Sequence, residues 1–224
     1  MIDSPGIFPA RRNARGGAVL RSGAVPCRNA GRGCRGDVRV PSVNRVVMQR
    51  TSRRWLEALP LEEMDAAEVS GKFGHRFQFR SYRRYRYPAH DVCAGPYRDE
   101  EGAALRFDII LANQVWEHLD RPYAATRNVR EMLRPGGYFW VAVPFYIPWH
   151  GDPVDCSRWT ARGLKNLLIE AGFDADKVRA GQWGNRAAAL RNFETPWPPA
   201  YDRDRDDLTN EPDFPICSWA LAQK

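Results

Sequence analysis

The side chains best suited to moving a proton near neutral pH are the histidines, and this sequence has four of them. They are His75, His90, His118 and His150. Their spacing matches no familiar set of metal ligands, so we expect no bound metal ion. His150 lies in a loop rich in Gly, Pro and Asp, where Asp152 or Asp155 could orient its ring. His150 is therefore a candidate general base, and a loop histidine bonded to one of these aspartates is the structural alternative.

A second set of candidates consists of polar and turn residues that end the predicted strands or follow them. They are Glu68-Val69-Ser70-Gly71, Ser81-Tyr82, Asp91-Val92 and Asn113-Gln114. In open α/β sheets, ligands bind outside the carboxyl ends of the strands. These residues are therefore candidates for lining one binding site. For each of them the alternative is an ordinary role in a turn or a helix cap.

Alternating strands and helices must position these residues. Helices are predicted over 49–59, 123–133 and 160–171, each ended by Pro or Gly. Strands are predicted over 66–69, 77–82, 87–93, 107–112, 138–144, 178–183 and 215–223. This alternation predicts an α/β sheet covered by helices on both faces. Only five residues separate Gly71 from Phe77, so we expect the first crossover helix to be reduced to a turn.

The most informative stretch runs from residue 107 to residue 146, as strand, polar loop, helix, Pro-Gly-Gly turn and strand. Its marked residues are Phe107-Asp108, Glu117-His118-Leu119, Leu133 and Pro135-Gly136-Gly137, and the following segment adds His150-Gly151-Asp152-Pro153, Arg158-Trp159-Thr160 and Glu170-Ala171-Gly172-Phe173. This pattern resembles the class I S-adenosylmethionine-dependent methyltransferases, in the broad group with Glu-His-Leu after the fourth strand. The resemblance covers about residues 65–224 and is specific from 107 to 173.

The resemblance implies a Rossmann-like, mostly parallel sheet of seven strands, with the strand at 215–223 antiparallel. It also implies S-adenosylmethionine as the cofactor and roles for the strand-end residues. Glu68 to Gly71 would approach the methionine part, although Ser70 and Lys72 stand where the family has glycines. Tyr82 stands where the family has a ribose-binding acid.

Further along the chain, the resemblance places Asp91 and the Val92 backbone near the adenine. Asn113 and Gln114 would line the methyl end of the cofactor. His150 falls in the loop that faces the acceptor. His118 is interpreted as a scaffold residue at a helix start, and it is the second candidate for the catalytic role.

The expected reaction is therefore methyl transfer to a small-molecule or glycan-like acceptor. The altered glycine-rich turn and the missing ribose carboxylate leave an alternative open, a catalytically inactive methyltransferase-like module that acts by binding a protein or ligand. A nucleic-acid-binding protein is a further alternative. The sequence determines neither the acceptor nor the oligomeric state.

The charge of the chain is concentrated at its amino end. Residues 1–50 hold ten Arg and two acids, whereas residues 51–224 have a net charge of −1. A basic nucleic-acid-binding face on the folded domain is therefore not indicated. Residues 1–47 are predicted to be a disordered Arg/Gly-rich leader, a targeting segment, or an extension upstream of a start at Met48. The predicted methyltransferase domain then spans 48–224.

Cysteine usage and hydropathy bear on the compartment. The five cysteines form no C-x-x-C pair, which favours a reducing compartment over a disulfide scaffold. The longest apolar run, 138–149, has only twelve residues and two prolines, so the sequence predicts no membrane span. We therefore expect a cytoplasmic protein.

Overall fold

The structure is a computed structural model that describes residues 40–151 and 154–224. Most of the predicted leader lies outside the described residues, and so does Asp152. The helices of the described part are α1 (Val43–Leu56), α2 (Pro122–Met132), α3 (Ala161–Glu170) and α4 (Arg186–Arg191). Its strands are β1 (Asp65–Val69), β2 (Ser81–Tyr85), β3 (Phe107–Asn113), β4 (Leu133–Pro144), β5 (Val178–Trp183) and β6 (Cys217–Gln223).

The strands form one sheet in the order β2-β1-β3-β4-β6-β5. The neighbours from β2 to β4 are parallel, whereas β6 runs antiparallel to both β4 and β5. This topology confirms the predicted Rossmann-like fold and its antiparallel last strand. The chain passes from β1 to β2 on one side and later to β3 on the other. The topological switch point, where such sheets bind ligands, therefore lies between β1 and β3.

The sheet has six strands in the described residues instead of the predicted seven. The prediction of a strand over 87–93 is wrong, because this segment forms two successive turns. The side chain of Asp91 accepts a hydrogen bond from the Cys93 N–H at 2.8 Å, and its carbonyl accepts one from the Ala94 N–H at 3.1 Å. The backbone donors are thus satisfied within the turn, which removes the need for a partner strand.

The second strand lies later in the chain than predicted. The alternation over 77–82 is typical of a strand, but β2 runs from Ser81 to Tyr85 and pairs with Asp65 to Val69 of β1. Phe77 and Phe79 lie in the preceding loop and pack against the core through their rings. Aromatic packing in a loop therefore produced the apparent period of two.

The first crossover is reduced to a single turn, as predicted. One 3-10 turn, Phe73–Arg76, lies between β1 and β2. The Phe73 ring stacks on the Trp140 ring of β4 at a centroid distance of 4.4 Å. This short connection covers the face of the sheet with one aromatic residue where a helix would otherwise pack.

The packed structure begins before the predicted boundary at Met48. Helix α1 starts at Val43 and is capped by Ser42, whose side chain accepts a hydrogen bond from the Asn44 N–H. Val43 and Val46 are 0% and 3% exposed. Helix α1 thus begins five residues before the predicted boundary, and its first turn buries two valines. Within the described residues, no helix combines the length and apolar character needed to cross a membrane.

Candidate active site

A cavity of about 460 Å³ opens at the carboxyl ends of β1 and β3. Its lining includes Val69, Ser70, Asp91, Val92, Gln114 and His118, which are six of the eleven residues predicted to form the site. The cavity lies at the topological switch point, and its volume is that of a small-molecule site. Residues that are far apart in sequence therefore meet at the place predicted from the strand ends.

Two residues at the strand ends have left-handed backbone conformations. Ser70 follows β1 with φ of 56°, and Gln114 follows β3 with φ of 57°. This region favours glycine, so each residue is held there by its surroundings. The Ser70 N–H donates to the Tyr85 carbonyl, and the Gln114 N–H donates to the Ala142 carbonyl, both at 2.8 Å. Ser70 thus adopts the backbone turn that a glycine would adopt, and it adds a hydroxyl beside the cavity.

Asp91 and Val92 form one wall of the cavity, on the turns that replace the third predicted strand. Val92 is 2% exposed, and its carbonyl accepts a hydrogen bond from the Asn128 side chain at 2.8 Å. Asp91 is partly exposed, and its Oδ1 accepts the Cys93 N–H. The loss of the strand therefore leaves these two residues in the predicted place, fixed by turn and helix contacts.

Glu68 lies beneath the first turn and is fully buried. Its carboxylate accepts hydrogen bonds from the Phe73 N–H and the Gly74 N–H, each at 2.7 Å, and from the Tyr82 hydroxyl at 2.5 Å. A Cβ at Gly71 would overlap Glu68 Oε1, and a Cβ at Gly74 would overlap the Tyr82 ring. These two glycines therefore let the backbone close around the carboxylate. The structure does not bring Glu68 or Gly71 to the cavity lining.

Tyr82 is also placed away from the cavity lining. It is the second residue of β2, and burial together with its hydrogen bond to Glu68 raises the pKa of its hydroxyl. The prediction placed Tyr82 at the carboxyl end of a strand, and the later course of β2 gives that position to Tyr85 and the residues after it. Tyr87, which is exposed and lines the cavity, is the aromatic residue that the sequence analysis missed. Arg83 and Arg84 stand side by side between Tyr82 and Tyr85, so β2 carries no period-two signal that could have found it.

His118 lines the opposite side of the cavity, and Glu117 and His150 lie next to it without lining the cavity. One possible ligand atom from each residue lies within 4.8 Å of the others, and the two imidazole rings are 5.1 Å apart, edge to face. His118 lines the cavity, and His150 lies behind it. Asn113 ends β3 but does not line the cavity, and its side-chain oxygen is buried. The structure therefore brings the two candidate catalytic histidines together.

Burial shifts the protonation of this cluster. Burial raises the pKa of Glu117 to about 8, partly offset by the nearby charges of Arg45 and Arg158. Burial also lowers the pKa of His150, although Asp155 opposes this shift. At neutral pH the His150 ring is therefore uncharged and able to accept a proton. The Asp155 carboxylate accepts a hydrogen bond from the backbone N–H of His150 at 2.9 Å and lies 3.4 Å from the ring Nδ1.

Two comparisons with known proteins bear on this site. Residues 50–139 match the family model described as "Methyltransferase domain". Among curated proteins, none matches this sequence.

Solved structures share the fold. One is an S-adenosylmethionine-dependent methyltransferase, described as a possible histamine N-methyltransferase, from Thermotoga maritima; it is 15% identical, with a TM-score of 0.51 over 80% of this chain and 88% of that chain. Another is an S-adenosylmethionine-dependent methyltransferase from Mesorhizobium loti; it is 14% identical, with a TM-score of 0.50 over 81% of this chain and 98% of that chain. At such identities the likeness concerns the fold.

The family match covers β1 to β3, the elements whose carboxyl ends form the cavity, and it extends into β4. The matched segment, the sheet topology and the solved relatives agree with the resemblance that the sequence motifs indicated. Residues 50–139 thus match a methyltransferase domain, and the described sheet has the fold of solved S-adenosylmethionine-dependent methyltransferases.

Proposed function

We propose that the chain binds S-adenosylmethionine in the strand-end cavity and methylates a small-molecule or glycan-like acceptor beside His118 and His150. The observation that carries this proposal is the meeting of Ser70, Asp91 and Gln114 around one cavity at the switch point. The cofactor supplies a methyl group on a sulfonium, so the new bond to carbon forms as the carbon–sulfur bond breaks and its electron pair stays on sulfur. The protein must then supply binding, alignment and a route for one proton.

Different residues along the cavity take different parts in binding and proton transfer. The left-handed turn at Ser70 lets the backbone approach a bound ligand closely, as the family's glycines do. Asp91 offers a carboxylate to a hydrogen-bond donor such as an exocyclic amine, and the Val92 backbone lies beside it. Gln114 extends this polar lining from the end of β3. Together they account for recognition at one end of the cavity.

His118 and His150 account for the other end. The acceptor's hydroxyl or amine must lose a proton as its oxygen or nitrogen bonds to carbon. Neutral His150 can receive that proton, and Asp155 then lies close enough to stabilise the charged ring. Asp155 is itself held by a two-point contact with the Arg158 guanidinium. The route for the proton thus ends in a fixed network.

A catalytically inactive module remains the second candidate, and one observation favours it. The residues that end and follow β2 are Tyr85, Arg86 and Tyr87, so no carboxylate stands there for the ribose hydroxyls. Such a module would keep the fold and act through binding. In either case a cytoplasmic location is supported by the three described cysteines, which are all free.

Calorimetry with S-adenosylhomocysteine tests the proposal. We expect micromolar binding to the wild type and to the control Asp176→Ala, an exposed aspartate on the 3-10 turn Ala175–Lys177. Wild-type protein that is folded but binds no S-adenosylhomocysteine would favour the inactive module. Release of S-adenosylhomocysteine in the presence of small hydroxyl, amine and saccharide acceptors would then identify the acceptor class.

A further inference from the structure

The cluster at the acceptor end contains a buried carboxylate without partners. Glu117 is 0% exposed, and neither of its carboxylate oxygens has a hydrogen-bond partner among the described residues. Arg45 and Arg158 lie close enough for their charges to act on it, but neither donates a hydrogen bond to it. Buried polar groups are almost always paired, and an unpaired one calls for an ion, a water molecule or a proton as its explanation.

The two histidines next to this carboxylate present nitrogen donors. His118 Nδ1 contacts the Val154 carbonyl oxygen, so Nδ1 carries the proton and donates it. Nε2 is then left with its lone pair, 3.7 Å from Glu117 Oε1. A backbone carbonyl that fixes one ring nitrogen while the other faces a carboxylate is the usual arrangement of a metal-binding histidine.

His150 lies in a separate loop whose later residues are hydrogen-bonded to the backbone of Glu117. The Glu117 carbonyl accepts hydrogen bonds from the Cys156 N–H at 2.7 Å and from the Ser157 N–H at 3.2 Å. Asp155 accepts the His150 N–H, which fixes the start of that loop. The loop therefore delivers its imidazole to Glu117 and His118 through several backbone contacts, and this support does not depend on a ligand.

We propose that Glu117, His118 and His150 bind one divalent transition-metal ion. Two imidazoles and one carboxylate are a donor set that suits zinc, iron, cobalt or nickel better than magnesium or calcium. Three protein ligands leave at least one coordination position open, as in catalytic sites. His118 lines the cavity, which places the cluster next to the proposed acceptor site.

The role of the metal ion in the reaction, though not its binding, rests on the proposed function. The metal ion would bind an acceptor hydroxyl at its open coordination position and favour the loss of the hydroxyl proton. Neither histidine would then need to act as a free base. The sequence predicted no metal site because its histidines lack ligand spacing. The fold supplies the spacing by placing His150 beside a residue far away in the chain.

Titration of metal-free protein with Co²⁺ tests the site, after chelation and removal of any polyhistidine tag. We expect a single equivalent to bind with the visible absorption of nitrogen- and oxygen-ligated cobalt, and Zn²⁺ to displace it. Glu117→Gln, His118→Gln and His150→Gln should each lower the affinity tenfold or more. His75→Gln, which changes an exposed histidine outside the cluster, should bind as the wild type does.

Glu117→Gln also separates binding from folding. Glutamine has the shape of glutamate without its charge, so the metal-free variant should unfold at the same temperature as the wild type or higher. It should lose the rise in unfolding temperature that Zn²⁺ gives the wild type. Equal Co²⁺ affinity in Glu117→Gln and the wild type, or no stoichiometric binding to folded wild type, would overturn the proposal. A water or a proton then satisfies the carboxylate.

Calorimetry with S-adenosylhomocysteine on the metal-free protein distinguishes failure of the metal proposal from failure of the proposed function. Metal binding without S-adenosylhomocysteine binding would support the metal site and count against the cofactor proposal. S-adenosylhomocysteine binding without metal binding would retain the methyltransferase and reject the metal site.

Discussion

Two buried glutamates lie near the carboxyl ends of neighbouring parallel strands, and their surroundings are opposite. Glu68, in β1, has three hydrogen bonds from the loop and strand around it. Glu117, which follows β3, has none among the described residues. Both are 0% exposed. The first carboxylate is a structural part of its turn, whereas both oxygens of the second lack a hydrogen-bond partner among the described residues.

The comparison shows how a sequence motif can keep its residues and change their use. The family pattern assigns the acid and glycines of the first turn to the cofactor. In this chain Gly71 and Gly74 make room for the Glu68 carboxylate itself. On the β3 side, Glu117 and His150 have buried polar side-chain atoms without partners among the described residues. The two sides of the cavity therefore respond differently to mutation.

Glu68→Ala should give the largest effect, and it should be an effect on stability. The substitution leaves two buried N–H groups and the Tyr82 hydroxyl without their acceptor, and each hydrogen bond to a charged group contributes about 1.5–3 kcal/mol. We expect the free energy of unfolding to fall by about 4 kcal/mol or more. Urea unfolding measures this free energy, and Glu117→Gln serves as the comparison at the buried glutamate after β3. A fully stable Glu68→Ala protein that no longer binds S-adenosylhomocysteine would return Glu68 to the cofactor site.

His150→Ala should affect turnover while leaving cofactor affinity intact. Loss of the group that receives a proton, directly or as a metal ligand, should lower the rate about 10²–10⁴-fold, or about 3–5 kcal/mol in the barrier. The assay is S-adenosylhomocysteine release with the best acceptor found in screening, beside a binding isotherm. Unchanged turnover would mean that catalysis depends on positioning alone.

His118→Ala separates the two histidines. It should also lower stability, because the His118 contact with the Val154 carbonyl holds the loop that carries His150. An active His150→Ala enzyme beside a folded but inactive His118→Ala enzyme would transfer the catalytic role to His118. Thermal unfolding of both variants accompanies the rate measurements.

Truncation at Met48 should destabilise the fold through helix α1, which packs against β5 and β6. A chain of residues 48–224 loses the buried Val43 and Val46, and also the Asn44 side chain, whose amide donates to Asn192 at 2.7 Å. Two buried valines alone contribute about 3 kcal/mol. We expect a chain of residues 40–224 to be more stable by about that amount in urea unfolding. Equal stabilities would restore the predicted boundary.

The same truncation also removes Arg45. The charge of Arg45 lowers the pKa of Glu117, so its loss should raise that pKa further. The single substitution Arg45→Gln isolates this contribution. It retains the valines and should leave the free energy of unfolding near that of the wild type.

The fold was predictable where one local signal dominated. The apolar run of β3 and the helix start at Thr160 follow from patterning and capping that the structure retains, whereas the antiparallel direction of β6 was implied by the family resemblance. The structure of segment 87–93 was not predictable, because the side chain of Asp91 competes with strand pairing for the same backbone donors. The start of α1 was missed because Val43 and Val46 are separated by polar residues, which hid the buried face of the helix.

The sequence predicted where the candidate site lies, but not which side chains contact each other there. The rule that ligands bind at strand ends singled out Ser70, Asp91 and Gln114, and these three residues line one cavity. It could not show that Glu68 is already bonded to its own loop, because the hydrogen-bond partners of a side chain depend on tertiary structure. Nor could it show the approach of His150 to Glu117, which depends on backbone contacts between distant segments.

Asp91→Ala should give the smallest effect, confined to affinity for the cofactor. The Asp91 carboxylate lines the cavity and is partly exposed, so its removal costs one polar contact and one turn hydrogen bond. One such contact is worth about 1.4 kcal/mol, which weakens S-adenosylhomocysteine binding about tenfold. Asp91→Asn retains an oxygen for the Cys93 N–H and so separates the turn from the ligand. If Asp91→Asn binds S-adenosylhomocysteine as weakly as Asp91→Ala while unfolding like the wild type, the carboxylate contacts the cofactor. If Asp91→Asn binds like the wild type, Asp91 serves the turn alone, and this wall of the cavity becomes as structural as the Glu68 turn.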